Sequence, residues 1–96
     1  MKPEADQQCL LCASMSPCRR TDGGNALMFE CSNRDCGPSE ISQAARKRLD
    51  RTRTVLHLML AKEAQKARKE GLVLRITTDP ATNDLRHAAL RPEDVK

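Results

Sequence analysis

Five cysteines fall between positions 9 and 36, as Cys9-x2-Cys12, a lone Cys18, and Cys31-x4-Cys36. Thiols so placed serve as disulfide partners, metal ligands or redox nucleophiles. The rest of the chain says why such a device is needed. It has 96 residues, no Trp, no Tyr and a single Phe, Phe29. Aromatic side chains supply the largest buried areas per residue, and a chain this short buries a modest share of its surface. Packing alone is a weak support for the first forty residues.

Disulfides rank low. The N-terminal "MKPEADQQ" is polar and has no apolar run of signal-peptide length. No segment approaches the ~20 apolar residues of a membrane span. The expected compartment is the cytoplasm, where thiols stay reduced, and an odd number of cysteines does not close a disulfide framework. A redox pair at Cys9 and Cys12 needs a βαβ setting, which the sequence pattern does not offer. Metal is the leading reading. Zinc takes four ligands at tetrahedral corners, and two residues between thiols let one tight turn present both sulfurs. The expected ligands of one Zn2+ are Cys9, Cys12, Cys31 and Cys36. The metal then supplies folding free energy on the order of 10 kcal/mol. Cys18 reads as a small apolar strand residue, with the sharper alternative that it replaces Cys12 or Cys36.

Between the paired cysteines lies "TDGGN", Thr21–Asn25. Asp-Gly and Gly-Gly supply the positive φ of a tight hairpin turn. This predicts a β-hairpin of Cys18–Thr21 with Ala26–Cys31, and Glu40–Ile41 as a third short strand. Ser42 is a good N-cap for "QAARKRLD", whose apolar side is Ala44, Ala45 and Leu49. Thr54 is a second N-cap, for a helix from Val55 to about Glu70 with Val55, Leu56, Met59, Leu60 and Ala67 on one face. Residues 42–70 are thus one helix or two, and Gly71 ends them as a C′ residue. "LVLRITT", Leu72–Thr78, alternates like a strand, packed on the helices, paired at an edge, or open to a homodimer. The expected organisation is a disordered leader over 1–8, a cysteine-rich unit over 9–41, a helical arm over 42–70, a strand over 71–78 and a polar tail with one or two helical turns over 79–96.

"CLLC … MFECSNRDCGPSEIS" resembles the zinc ribbon, a pair of cysteine knuckles on a β-hairpin. It is most similar to short prokaryotic and phage-type ribbons that continue through a strand into a helix opening with Ile-Ser. The resemblance covers roughly residues 9–49. Two departures stand out: four residues separate Cys31 and Cys36 where the pattern has two, and Ala13 stands where a Gly often follows the first knuckle. The implied fold class is small α+β, a zinc ribbon followed by a helical arm and a short C-terminal strand.

Charge points to partners. The net charge is +4, yet residues 1–36 carry four Lys/Arg against five Asp/Glu, residues 37–70 nine against four, and residues 71–96 four against four. The excess sits in the predicted helices, densest at Arg46, Lys47, Arg48, Arg51 and Arg53, with Lys62, Lys66 and Lys69 as a second stripe. Most charge runs are solvated faces; the alternative here is a phosphate-contacting surface, and the local density raises that expectation. Without aromatics, base stacking on single strands is not expected, so contacts would go to backbone or duplex grooves. His57 and His87 lack metal-ligand company, and no catalytic triad, phosphate loop or framed carboxylate pair is present. The function expected is non-enzymatic. It is a zinc-stabilised regulatory module docking on nucleic acid or a nucleoprotein complex through the basic helical surface, with no membrane partner. The alternative is a protein-interaction inhibitor of a host complex, encoded by a phage or mobile element. A thiol redox protein is a weaker third.

Overall fold

The computed structural model describes residues 5–51 and 55–95, with the side chains of Ala5, Asp6, Asp50 and Arg51 left undescribed. Ten elements run in the order β1 (Ala5–Gln8), β2 (Met15–Thr21), a 3-10 turn (Asp22–Gly24), β3 (Ala26–Phe29), β4 (Ser39–Ser42), α1 (Gln43–Arg51), α2 (Val55–Lys69), β5 (Val73–Thr78), β6 (Leu85–Leu90) and a second 3-10 turn (Pro92–Asp94). The strands form one six-stranded sheet in sequence order. Every neighbouring pair is antiparallel except β4 and β5, which are parallel and joined by the two helices.

The expected hairpin is present as β2 and β3, with Cys18 opposite Phe29 and Thr21 opposite Ala26. Asp22, Gly23 and Gly24 all take positive φ in its turn, the conformation that the glycines make accessible. Ser42 ends β4 and caps α1, its Oγ accepting the Ala45 amide at 3.2 Å. At the far end of α2, Gly71 sits at φ +73 and the Leu72 amide reaches back to the Ala67 carbonyl at 2.8 Å. That is the six-to-one closure of a glycine C-terminus.

The helices are not an arm. They lie on one face of the sheet, where Ala45 and Leu49 of α1 and Leu60, Ala61, Ala64 and Ala67 of α2 join Cys18, Phe29, Ile41, Leu74 and Ile76 in the main core. Three alanines on α2 let its backbone approach closely. On the other face Met28, Val73 and Val95 form a smaller cluster with Leu90 against it. There Glu40, 3% exposed, ion-pairs with Arg75 at 2.7 Å, its neighbour in the β4–β5 register.

Several expectations need correction. Residues 5–8 are not a disordered leader; they pair with β2 from Gln8 opposite Met15 to Ala5 opposite Cys18. Residues 1–4 lie outside the described ones. The segment after Asp79 forms a strand instead of helical turns. Asp79 Oδ1 accepts the amides of Ala81 and Thr82 at 2.7 and 3.2 Å, Asn83 takes φ +61, and β6 then returns along β5. Paired on both sides, β5 is not an open edge, so it offers no site for the homodimer considered above. Val55 and Met59 point outward, because Ala61 and Ala64 take the inward stripe. The break between α1 and α2, with the Thr54 cap, falls on residues 52–54, outside the described residues.

Candidate metal centre

Both knuckles hang from the same end of the sheet. The first is the turn between β1 and β2, the second the turn between β3 and β4. The β2–β3 hairpin, whose own turn lies at the other end, brings them side by side. Cys9, Cys31 and Cys36 are buried and Cys12 is half-buried, and the four sulfurs all lie within 4.8 Å of one another. Cys12 and Cys31 approach to 3.4 Å, and Cys9 and Cys36 to 3.9 Å. Tetrahedral zinc with Zn–S bonds of about 2.3 Å places its sulfurs about 3.8 Å apart. The cluster matches that spacing and is too open for disulfides, none of which is formed. These four cysteines are close enough to hold a metal ion. Cys18 stays apart from them, buried on β2 in the core.

The thiols act on one another. The hydrogen bond from Cys36 lowers the Cys9 pKa to about 5, with the amides of Leu11 and Cys12 helping and burial opposing. The same bond, reinforced by burial, pushes Cys36 up. Burial chiefly raises Cys31. Without metal the cluster therefore keeps protons in a shared set. A bound divalent ion changes that balance, since coordinated thiols are deprotonated.

Each knuckle has its own support. In the first, the Ala13 amide donates to the Cys9 carbonyl and the Cys9 amide to the Ser14 carbonyl, both at 2.8 Å. Ala13 takes φ +65, so the position usually given to glycine here holds a strained alanine. In the second, the Cys36 amide donates to the Asn33 carbonyl at 3.0 Å. The Asn33 side chain accepts the Asp35 amide at 3.0 Å and donates to Ser14 Oγ at 2.9 Å, tying the knuckles together. Helix α2 holds the rest. Arg68 donates to the Asn33 and Arg34 carbonyls at 3.0 and 3.2 Å, and Gln65 to the Arg34 carbonyl at 2.8 Å. Gly37 permits this approach, for a Cβ there would sit 2.3 Å from the Ala64 carbonyl oxygen. Sequence reasoning missed Ser14, Asn33, Gln65 and Arg68. Asn33 two residues before Asp35 is an Asx-turn signal; the two helical residues gave none.

The basic run is only partly gathered. Lys47 and Arg48 are exposed on α1, while Arg46 is half-buried, with its Nε buried and unpartnered among the described residues. The Arg51 side chain and Arg53 lie outside the described residues. Among those described, the side-chain ion pairs are Lys66–Glu63, Arg75–Glu40, Arg86–Asp79 and Arg91–Asp94. Lys47 and Arg48 take part in none of them.

No family model, curated protein or solved structure matches this chain. The four-sulfur geometry is therefore the basis on which function is inferred. Among the described residues, no helix is long and apolar enough to cross a membrane.

Proposed function

We propose that this protein is a non-enzymatic, zinc-stabilised binding module, a regulatory factor that docks on nucleic acid or a nucleoprotein complex. Four cysteines fill a tetrahedral set and leave no position for substrate, the hallmark of a structural zinc site. The docking reading is carried by one observation: Lys47 and Arg48 stand exposed without a carboxylate partner among the described residues. Glu40, one of two acidic residues near them in sequence, is buried against Arg75 on the other face of the sheet. Lys62, Lys66 and Lys69 add an exposed stripe on α2. Cationic side chains at such positions neutralise phosphates and release counterions. The absence of exposed aromatics favours duplex backbone over single strands.

The test is the salt dependence of binding to random-sequence duplex DNA. Wild-type affinity is expected to fall steeply with salt. Lys47→Glu with Arg48→Glu should keep metal content and flatten the log–log slope by about 0.9 for each phosphate that is no longer neutralised. No duplex affinity, together with a single stoichiometric complex with one host protein, would replace this reading with the host-complex inhibitor.

A further inference from the structure

The large hydrophobic side chains left exposed among the described residues are Met15 at 62%, Val55 at 66%, Leu58 at 65% and Met59 at 58%. Three occupy the first turns of α2. Met15 opens β2 just past the first knuckle. Between that knuckle and α2 runs a groove of about 700 Å3, walled by Leu10, Leu11 and Ala13 on one side and by Leu49, Val55 and Leu58 on the other. A space of that size lies within the roughly 300–1,000 Å3 typical of binding pockets. Exposed apolar surface gathered in one place, as Val55 and Leu58 are at this groove, marks interaction sites.

Charge selects the occupant. Among the described residues, no acidic side chain lines the groove. Lys62 stands one turn beyond Leu58 and Met59 on the same exposed stripe, and Lys66, one turn further, is paired with Glu63 at 3.5 Å. On α1, Lys47 and Arg48 are exposed beside Leu49. A second copy of this chain is a poor fit, because it would set basic rim against basic rim in a protein of net charge +4. Cys9 and Cys12 lie at the floor, and zinc-bound thiolates there would repel a carboxylate. The acidic groups of the occupant therefore belong at the rim and its apolar groups on the floor.

We propose that this groove docks an acidic amphipathic helix of a partner protein, its apolar side chains at helical spacing on the floor and its carboxylates over Lys62. The proposal needs only the folded module; it shares Lys62 with the phosphate-contacting stripe, while its apolar floor takes no part in phosphate binding.

The probe is a synthetic helical peptide with Leu at i, i+3 and i+7 and Glu on its flanks, titrated into isotope-labelled, zinc-loaded protein. Saturable amide shifts are expected over Leu10–Met15 and Val55–Lys62. Leu58→Gln should weaken binding about tenfold, as the loss of an anchor side chain does. Lys62→Glu should invert the preference toward a peptide with Lys in place of Glu. Both positions are exposed, so metal content and duplex affinity should stay at wild-type level in Leu58→Gln. Absence of duplex affinity in wild type would overturn the nucleic-acid reading alone. The groove proposal fails if the peptide does not saturate, if its shifts map to β6, or if the Lys peptide binds wild type equally well. It also fails if sedimentation shows a dimer that Leu58→Gln dissolves, or if vesicles of anionic lipid displace the peptide.

Discussion

The first knuckle closes on its own backbone, whereas the second is held by a helix some thirty residues away in sequence. Cys9 and Cys12 are fixed by two short amide–carbonyl bonds within a turn of six residues, at the expense of a left-handed alanine. Cys31 and Cys36 span a longer loop, whose extra backbone needs Gln65 and Arg68 of α2 to donate to its carbonyls. A tight spacing makes a ligand pair local. A loose one hands control of the metal site to the tertiary fold, so anything that shifts α2 on the sheet is felt at Cys36.

The contrast breaks most completely when a ligand is removed. Cys36→Ser or Cys9→Ser should cost metal and folded structure alike, on the order of 10 kcal/mol of binding free energy, read as metal content and as loss of the thermal transition. Cys18→Ser, by comparison, should keep nearly stoichiometric metal while lowering stability. Equal metal loss in Cys18→Ser and Cys36→Ser would refute the ligand assignment.

Next in size is Gly37→Ala. Its Cβ would meet the Ala64 carbonyl oxygen at 2.3 Å, so α2 and the second knuckle must separate, with a cost of about 2 kcal/mol. Metal release to a chelator should accelerate. Unchanged release would mean that the close approach is not what seats the second knuckle.

Arg68→Ala removes two charge-assisted bonds from a half-buried site and should lower stability by about 1–2 kcal/mol. Denaturation midpoint and chelator kinetics should both respond. If only the midpoint moves, Arg68 supports the helix packing and not the metal loop.

The smallest effect separates the knuckles most sharply. Ala13→Gly relieves the left-handed strain but loosens the unfolded chain, for a net gain of about 0.5–1 kcal/mol. It should raise the melting temperature and leave chelator kinetics alone. A destabilised Ala13→Gly would show that the first knuckle needs the alanine side chain itself.

Local chemistry was legible before the fold was. The Asp-Gly-Gly turn announced β2 and β3, Ser42 announced α1, and Gly71 closed α2. That Cys9, Cys12, Cys31 and Cys36 come together followed from spacing. What escaped depends on neighbours distant in sequence. The polar "ADQQ" of β1 has little strand propensity of its own and is a strand because β2 offers an edge. The segment "LRHAAL" is built of helix formers and extends only because β5 pairs with it. The outward face of α2 was misjudged because small alanines, and not the larger Val55 and Met59, won the close approach to the sheet. Arg68 carried no signal of its own, since nothing in its helix reveals the carbonyls of Asn33 and Arg34 that it meets.

The parallel pairing of β4 with β5 sets a timetable for self-assembly. The four clustered cysteines all lie between positions 9 and 36, joined by hairpins of short loop length, while β5 meets β4 only after the whole helical crossover has been made. Contacts close in sequence form early, and distant ones wait on costly chain closure. During synthesis the amino-terminal domains of proteins generally organise first, so the cysteine set can capture its ion while α2 is still emerging. An ion captured at that stage would leave the helix to dock onto a loop already gathered, and the clasping of the second knuckle would then be the expected last step.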